Sequence, residues 1–280
     1  MSNAKVNGID LWYSMQGEGE PILLLPGLGL DHQYYRLGEP LLRPHGSTIL
    51  VDPRGIGRSS KTPSTEVRYT PELWADDFAA LLRTLGKGPA HVIGSSLGGA
   101  MAMSLAERYP ELVASLTVVG SFSELDRAME INFTLRKKII AKLGMGPEIA
   151  DFMGLFTMTR EFIDTEAGFK VMQGNQANIR ANSPELYTAF IDAVLWWGRR
   201  LPGQEGEPLY TTRLKNIHVP TLVLAGDNDY FIPASFSKII ARHIPGARYG
   251  EVAGGGHIPF IEKPQDTARQ FLDFLKTVTA

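Results

Sequence analysis

Residues 90–101 read Ala90-His91-Val92-Ile93-Gly94-Ser95-Ser96-Leu97-Gly98-Gly99-Ala100-Met101, and the turn in the middle decides the fold. Val92-Ile93 closes an apolar run of strand character, and a segment rich in Ala and Met, good helix formers, starts at Leu97. Between them Gly94-Ser95-Ser96-Leu97-Gly98 matches G-x-S-x-G. A serine on a sharp strand-to-helix turn needs small residues two positions to either side, because the backbone is crowded there. The turn pushes its Oγ out of the sheet, and the amides that open the helix point at developing negative charge. Ser95 competes with Ser96, but only Ser96 has glycine at both flanking positions. Ser96 is read as a nucleophile.

Outward from this turn, short apolar runs at 22–25, 48–52, 91–95, 116–120, 221–225 and 248–252 read as buried strands. Residues 9–13 alternate in hydrophobicity, which predicts an antiparallel edge strand. Helical spacing lies between the runs. Thr70 is a candidate N-cap before Pro71, with Leu73, Phe78, Leu81, Leu82 and Leu85 as the stripe and Gly86 as the stop. Residues 97–109 and 264–278 are further helices. Strand and helix in alternation predict an α/β fold, with a mostly parallel central sheet flanked by helices.

The alternation lapses between 121 and 213. Phe133, Arg136, Ile139, Ile140 and Leu143 fit one helix, Leu186, Phe190, Val194 and Trp197 another, and 202–208 a surface turn. The expected organisation is a core domain of 1–120 and 214–280, with 121–213 as a helical cap insertion.

Composition narrows the function classes. The 28 Lys and Arg nearly balance 30 Asp and Glu, and no run of one sign advertises nucleic acid or an anionic membrane. The absence of cysteine excludes disulfides, thiolate metal sites and a cysteine nucleophile. The polar start, Met1-Ser2-Asn3-Ala4-Lys5, lacks the apolar core of a signal peptide, and 22–30 is broken by Pro26, Gly27 and Gly29. A cytoplasmic protein without membrane or nucleic-acid partners is expected, as a monomer or homodimer. No H-E-x-x-H or calcium loop is present, so neither metal nor cofactor is expected.

From about 9 to 275 the chain resembles the α/β-hydrolase superfamily. The elbow at Ser96, Pro26-Gly27-Leu28-Gly29 (similar to the oxyanion loop) and Asp52-Pro53-Arg54-Gly55-Ile56-Gly57-Arg58-Ser59 (similar to D-x-R-G-x-G-x-S) occur in the family's order. The cap and the size resemble its small esterase, lactonase and carbon–carbon hydrolase branch. The family commonly has histidine where Pro26 stands, and the oxyanion donor comes from the loop that follows. The resemblance implies a catalytic histidine after the last strand, and Gly254-Gly255-Gly256-His257 provides His257, with Glu262 and Pro264 completing a G-H-x-x-x-x-E-x-P run. An imidazole suits the role because it takes and returns a proton near neutrality. After residue 225 two acids are available, Asp227 and Asp229; the family spacing G-x-x-D selects Asp229. The oxyanion donors implied are the backbone amides of Leu28 and Leu97.

An apolar wall over Ser96 is expected from Phe122, Trp196, Tyr230 and Ile258, with Trp197, Phe231 and the run Phe152-Met153-Leu155-Phe156-Met158 as further sources. The default substrate is a small to medium, mostly apolar carboxylic ester or lactone, cleaved through an acyl-enzyme on Ser96. The same three residues serve a carbon–carbon bond hydrolase or a haloperoxidase-like perhydrolase. A ligand receptor that keeps the triad is the rival outside enzymes.

Overall fold

The computed structural model describes residues 2–198 and 210–278. Eight strands form one sheet: β1 (Ser2–Val6), β2 (Ile9–Gln16), β3 (Pro21–Leu25), β4 (Ser47–Val51), β5 (Ala90–Ser95), β6 (Val113–Val119), β7 (Thr221–Gly226) and β8 (Arg248–Val252). Their order is β1-β2-β4-β3-β5-β6-β7-β8. β1 with β2 and β2 with β4 pair antiparallel, and every other pairing is parallel. Residues 9–13 are therefore not an edge. β2 lies one strand in, because β1 covers it; the sequence Ser-Asn-Ala-Lys-Val buries only Ala4 and Val6 and carries too little apolar alternation to announce a strand.

The central strands are apolar on both faces because both are covered. Leu23, Leu25 and Val92 join one core with Phe78, Leu82 and Met101, while Ile22, Leu24 and Ile93 join the other with Tyr35, Phe260 and Phe271. The period of two along β3 and β5 divides these sets. On the first face lie α1 (Pro71–Leu85) and α2 (Leu97–Arg108). Thr70 caps α1 by accepting from the Leu73 amide (3.1 Å), and Gly86 closes it at φ +60°. Trp74, absent from the predicted stripe, is its fully buried anchor.

Between β6 and β7 the chain leaves the sheet through α3 (Arg127–Leu143), α4 (Pro147–Thr157), α5 (Glu166–Arg180) and α6 (Pro184–Gly198). It re-enters as the neighbour of the strand it left. The surface turn expected at 202–208 lies outside the described residues. After β7 come α7 (Ala234–His243), β8, a single turn at Pro259–Glu262 and α8 (Pro264–Val278). No helix among the described residues is long and apolar enough to cross a membrane.

Candidate active site

Ser96 stands between β5 and α2 with φ +56°, ψ −122°, an unusual backbone for a side chain with a Cβ. Such strain costs about 1–3 kcal/mol and persists only where the surroundings over-determine it. Here the Ser96 amide donates to the Val119 carbonyl (2.9 Å), and its carbonyl accepts from the Gly99 amide (2.8 Å) and Ser121 Oγ (2.7 Å). The flanking glycines are compelled by space. A Cβ on Gly94 would lie 2.2 Å from the Gly98 carbonyl oxygen, and one on Gly98 would lie 2.2 Å from that of Leu25. The competing Ser95 is fully buried, its hydroxyl paired with that of Tyr34 at 2.7 Å.

Each strand that ends near Ser96 supplies something. After β8, Gly254 donates to Asp227 Oδ1 (2.7 Å) and Asn228 donates to the Gly255 carbonyl (3.0 Å), folding the glycine-rich loop against the end of β7. A Cβ on Gly256 would lie 2.4 Å from Glu262 Oε1. His257 then places Nε2 2.9 Å from Ser96 Oγ and Nδ1 2.9 Å from Asp229 Oδ2. Asp229 is held by its other oxygen, which accepts from the Phe231 and Ile232 amides at 2.9 and 2.8 Å. A carboxylate fixed this way sets the imidazole tautomer, with the proton on Nδ1 and a lone pair toward the serine. Of the two acids after β7, the one that reaches the imidazole is Asp229; Asp227 is exposed and ties down the loop.

The amides of Leu28 and Leu97 have no acceptor among the described residues. For Leu97 this follows from helix geometry, since the first amides of α2 lack an intrahelical partner. Both residues line the same cavity as Ser96 and His257.

The apolar lining is only partly as expected. Phe122 and Ile258 line the cavity, as do Phe231, Met153 and Met158. Trp196 and Tyr230 do not, which corrects both expectations. Val194 points into the cavity, and Trp196, two residues on, is turned about 200° around the helix. Its indole lies instead under Arg68, 4.4 Å away, in a separate surface groove. Tyr230 is 77% exposed, because the turn that binds Asp229 to the Phe231 amide directs Phe231 inward and Tyr230 out. Leu155 and Phe156 are likewise exposed, and Trp197 packs behind Phe122 with ring centres 5.7 Å apart.

Sequence reading missed Met172, Asn175, Gln176 and Ile179 of α5, all of which line the cavity. Their spacing of three and four residues marks one helical face, but its polar pair conceals it from an apolar-stripe reading. Arg136 also enters this cavity from α3, where the sequence placed it only on a helix stripe.

Two polar clusters lie away from the serine. Arg54 of the D-x-R-G loop forms a buried two-pronged pair with Asp77 (both contacts 2.7 Å), and its carbonyl accepts from the Trp74 indole. Asp31, His32 and Asp52 bring donor atoms within 4.8 Å of one another, close enough for a metal ion. Those atoms are already engaged. Asp52 accepts from the His32 amide and from the Arg58 amide and faces His32 Nδ1 at 2.7 Å, while Asp31 accepts from the Gln33 amide and from Asn178. The network staples the loop after β4 to the loop after β3.

RutD of Azorhizobium caulinodans, provisionally named a carbamate hydrolase, is 34% identical over 251 residues, 89% of this chain and 88% of its own. The enol-lactonase from Burkholderia xenovorans LB400 superposes with a TM-score of 0.85 at 25% identity, covering 98% of this chain and 99% of its own. A thermophilic esterase from Thermogutta terrifontis superposes with a TM-score of 0.82 at 26% identity, covering 100% and 98%. The family profile described as alpha/beta hydrolase fold matches residues 20–264. On sequence and on architecture alike, the chain belongs to the α/β-hydrolase fold family.

Proposed function

We propose that the protein is a serine hydrolase that cleaves a small to medium, mostly apolar carboxylic ester or lactone through an acyl-enzyme on Ser96. The observation that carries this reading is the unbroken relay from Ser96 Oγ through His257 to Asp229, at the floor of a mainly apolar cavity. His257 Nε2 takes the serine proton as Oγ attacks the acyl carbonyl. The Leu28 and Leu97 amides receive the developing oxyanion, and Asp229 stabilises the imidazolium. The imidazolium returns the proton to the departing alkoxide, and water activated by the same base then clears the acyl-enzyme. The segment 121–213 acts as a cap, with Phe122, Met153 and Met158 excluding water around the acyl chain.

The test is steady-state hydrolysis of p-nitrophenyl butyrate, beside a panel of lactones and β-diketones, by wild type and Ser96→Ala. Repeated turnover is expected, with loss of about 10⁴-fold or more in kcat for the variant. Turnover retained in Ser96→Ala would overturn the assignment. A single slow cleavage event, without recycling, would instead favour a ligand receptor.

A further inference from the structure

Arg136 is the anomaly in the cavity. It is 1% exposed, and among the described residues no carboxylate is paired with it. Its Nε donates to Asn132 Oδ1 (2.7 Å), one turn back on α3. The Tyr187 hydroxyl lies beside it; this hydroxyl donates to Met153 Sδ at 2.7 Å, which leaves its oxygen to accept from the guanidinium. Nη2 is buried and has no hydrogen-bond partner. The guanidinium carbon stands over two aromatic rings, Phe231 at 4.5 Å and Phe133 at 5.1 Å from their centres. Cation–π contact offsets part of the desolvation but leaves the in-plane N–H donors of Nη2 unmet. Burial pulls its pKa down from the ordinary guanidinium value, with Tyr187 opposing.

A guanidinium keeps its charge in a protein, and a buried charge without a counter-ion is expensive. Natural interiors rarely carry one without use. Its position suggests the use. Phe231, whose ring lies 4.5 Å from the guanidinium, also meets the His257 imidazole edge-on with ring centres 5.0 Å apart. Cation and base therefore stand one aromatic ring apart and line one cavity.

We propose that Arg136 is the counter-charge for a carboxylate on the substrate, so that the preferred substrate is an ester or lactone whose apolar acyl chain ends in an anionic carboxyl group. This rests on the serine-hydrolase reading above and narrows its substrate class. The free Nη2 donates to a carboxylate oxygen, and the low-dielectric pocket makes that charge-assisted bond strong. Substrate binding then supplies the anion that the protein withholds. Phe133 and Phe231, whose rings lie under the guanidinium carbon, hold the cation at the cavity, and Met153 and Ile179 accept the methylenes between the two ends.

The test compares p-nitrophenyl hexanoate with mono-p-nitrophenyl adipate, which has the same number of carbons and a terminal carboxylate. Wild type is expected to prefer the adipate ester in kcat/KM, and Arg136→Gln to reduce that preference by about 10- to 100-fold. Arg136→Lys should recover part of it. A loosened pocket slows both esters and leaves their ratio standing, so an unchanged ratio in Arg136→Gln would overturn the proposal. Should the variants fail to fold, calorimetry on wild type with adipic acid monoamide and with hexanamide reads the same preference. The acid is expected to bind at least about tenfold more tightly; equal binding would overturn the proposal. Absence of all ester cleavage, with the acid still preferred, would remove the hydrolase reading and leave the carboxylate site in place.

Discussion

At the floor of the cavity, one added carbon on Gly94 or Gly98 would sit 2.2 Å from a backbone carbonyl oxygen; at its roof, Met153, Met158 and Met172 are flexible side chains from the helical segment after β6. Floor and roof line the same cavity under different constraints. The floor is backbone packed against backbone, where no alternative residue fits and Ser96 is held at positive φ by hydrogen bonds to its own amide and carbonyl. The roof is thioether and aromatic packing, which adapts to volume changes. On the proposed reading, rigid donors below and compliant packing above would let one reaction meet acyl groups of different shape.

The largest effects are expected at the floor. Asp229→Asn removes the acceptor that sets the His257 tautomer, and kcat on a p-nitrophenyl ester is expected to fall roughly 10⁴-fold. Asp227→Asn should fall far less, since the Asp227 carboxylate holds the Gly254 amide and does not reach the imidazole. Equal losses in the two variants, measured side by side, would show that the relay is not what distinguishes the floor. Gly98→Ala drives a methyl into the Leu25 carbonyl and displaces the elbow, and a shift of about 1 Å there is worth about 100-fold in turnover. A crystal structure of this variant with an undisturbed Ser96 would contradict the compulsion argued from space.

The roof should respond in preference instead. Met153→Ala opens room beside Gly154 and Thr157, so kcat/KM is expected to shift toward longer acyl chains by about tenfold across a p-nitrophenyl ester series. An unaltered chain-length profile would show that Met153 does not bound the acyl site. The smallest effect belongs to Glu262, which accepts from the Thr159 amide and hydroxyl and so joins the loop of His257 to the segment after α4. Burial holds its carboxyl above the ordinary 4.5, with the Thr159 bonds opposing. The folded state therefore keeps this proton longer than the unfolded chain does. Its contribution to stability is whole below pH 4.5 and is lost as pH rises through the raised value. Glu262→Gln cannot ionise and should flatten the Tm-against-pH curve above pH 4.5 by about 2 °C or less. A slope as steep as that of wild type would place the titration elsewhere.

The floor was legible in the sequence because local geometry demands particular residue types. A strand run, a serine between glycines and an Ala-rich helix start occupy consecutive positions, and no side chain other than hydrogen fits beside that turn. His257 and Asp229 were reached through loop composition and family spacing, and they converge on Ser96 although 161 and 28 residues separate the hydrogen-bonded pairs. Burial of β3 on both faces was equally plain from its unbroken apolar run.

What the letters could not decide was orientation and company. Trp196 and Tyr230 are large and sit beside site residues in the chain, yet one turns to a different groove and the other to solvent. β1 is a strand because β2 offers it hydrogen bonds, which its own polar sequence does not advertise. Arg136 is an ordinary helical arginine until the fold encloses it among Phe133, Phe152 and Phe231, with no carboxylate paired to it among the described residues. Residue type and local spacing determine where a backbone must turn and which group can react there, since those demands are met within a few positions. Which side chains face that group depends on how distant helices rotate as they pack, a free energy summed over the whole core, and only the tertiary structure settles it.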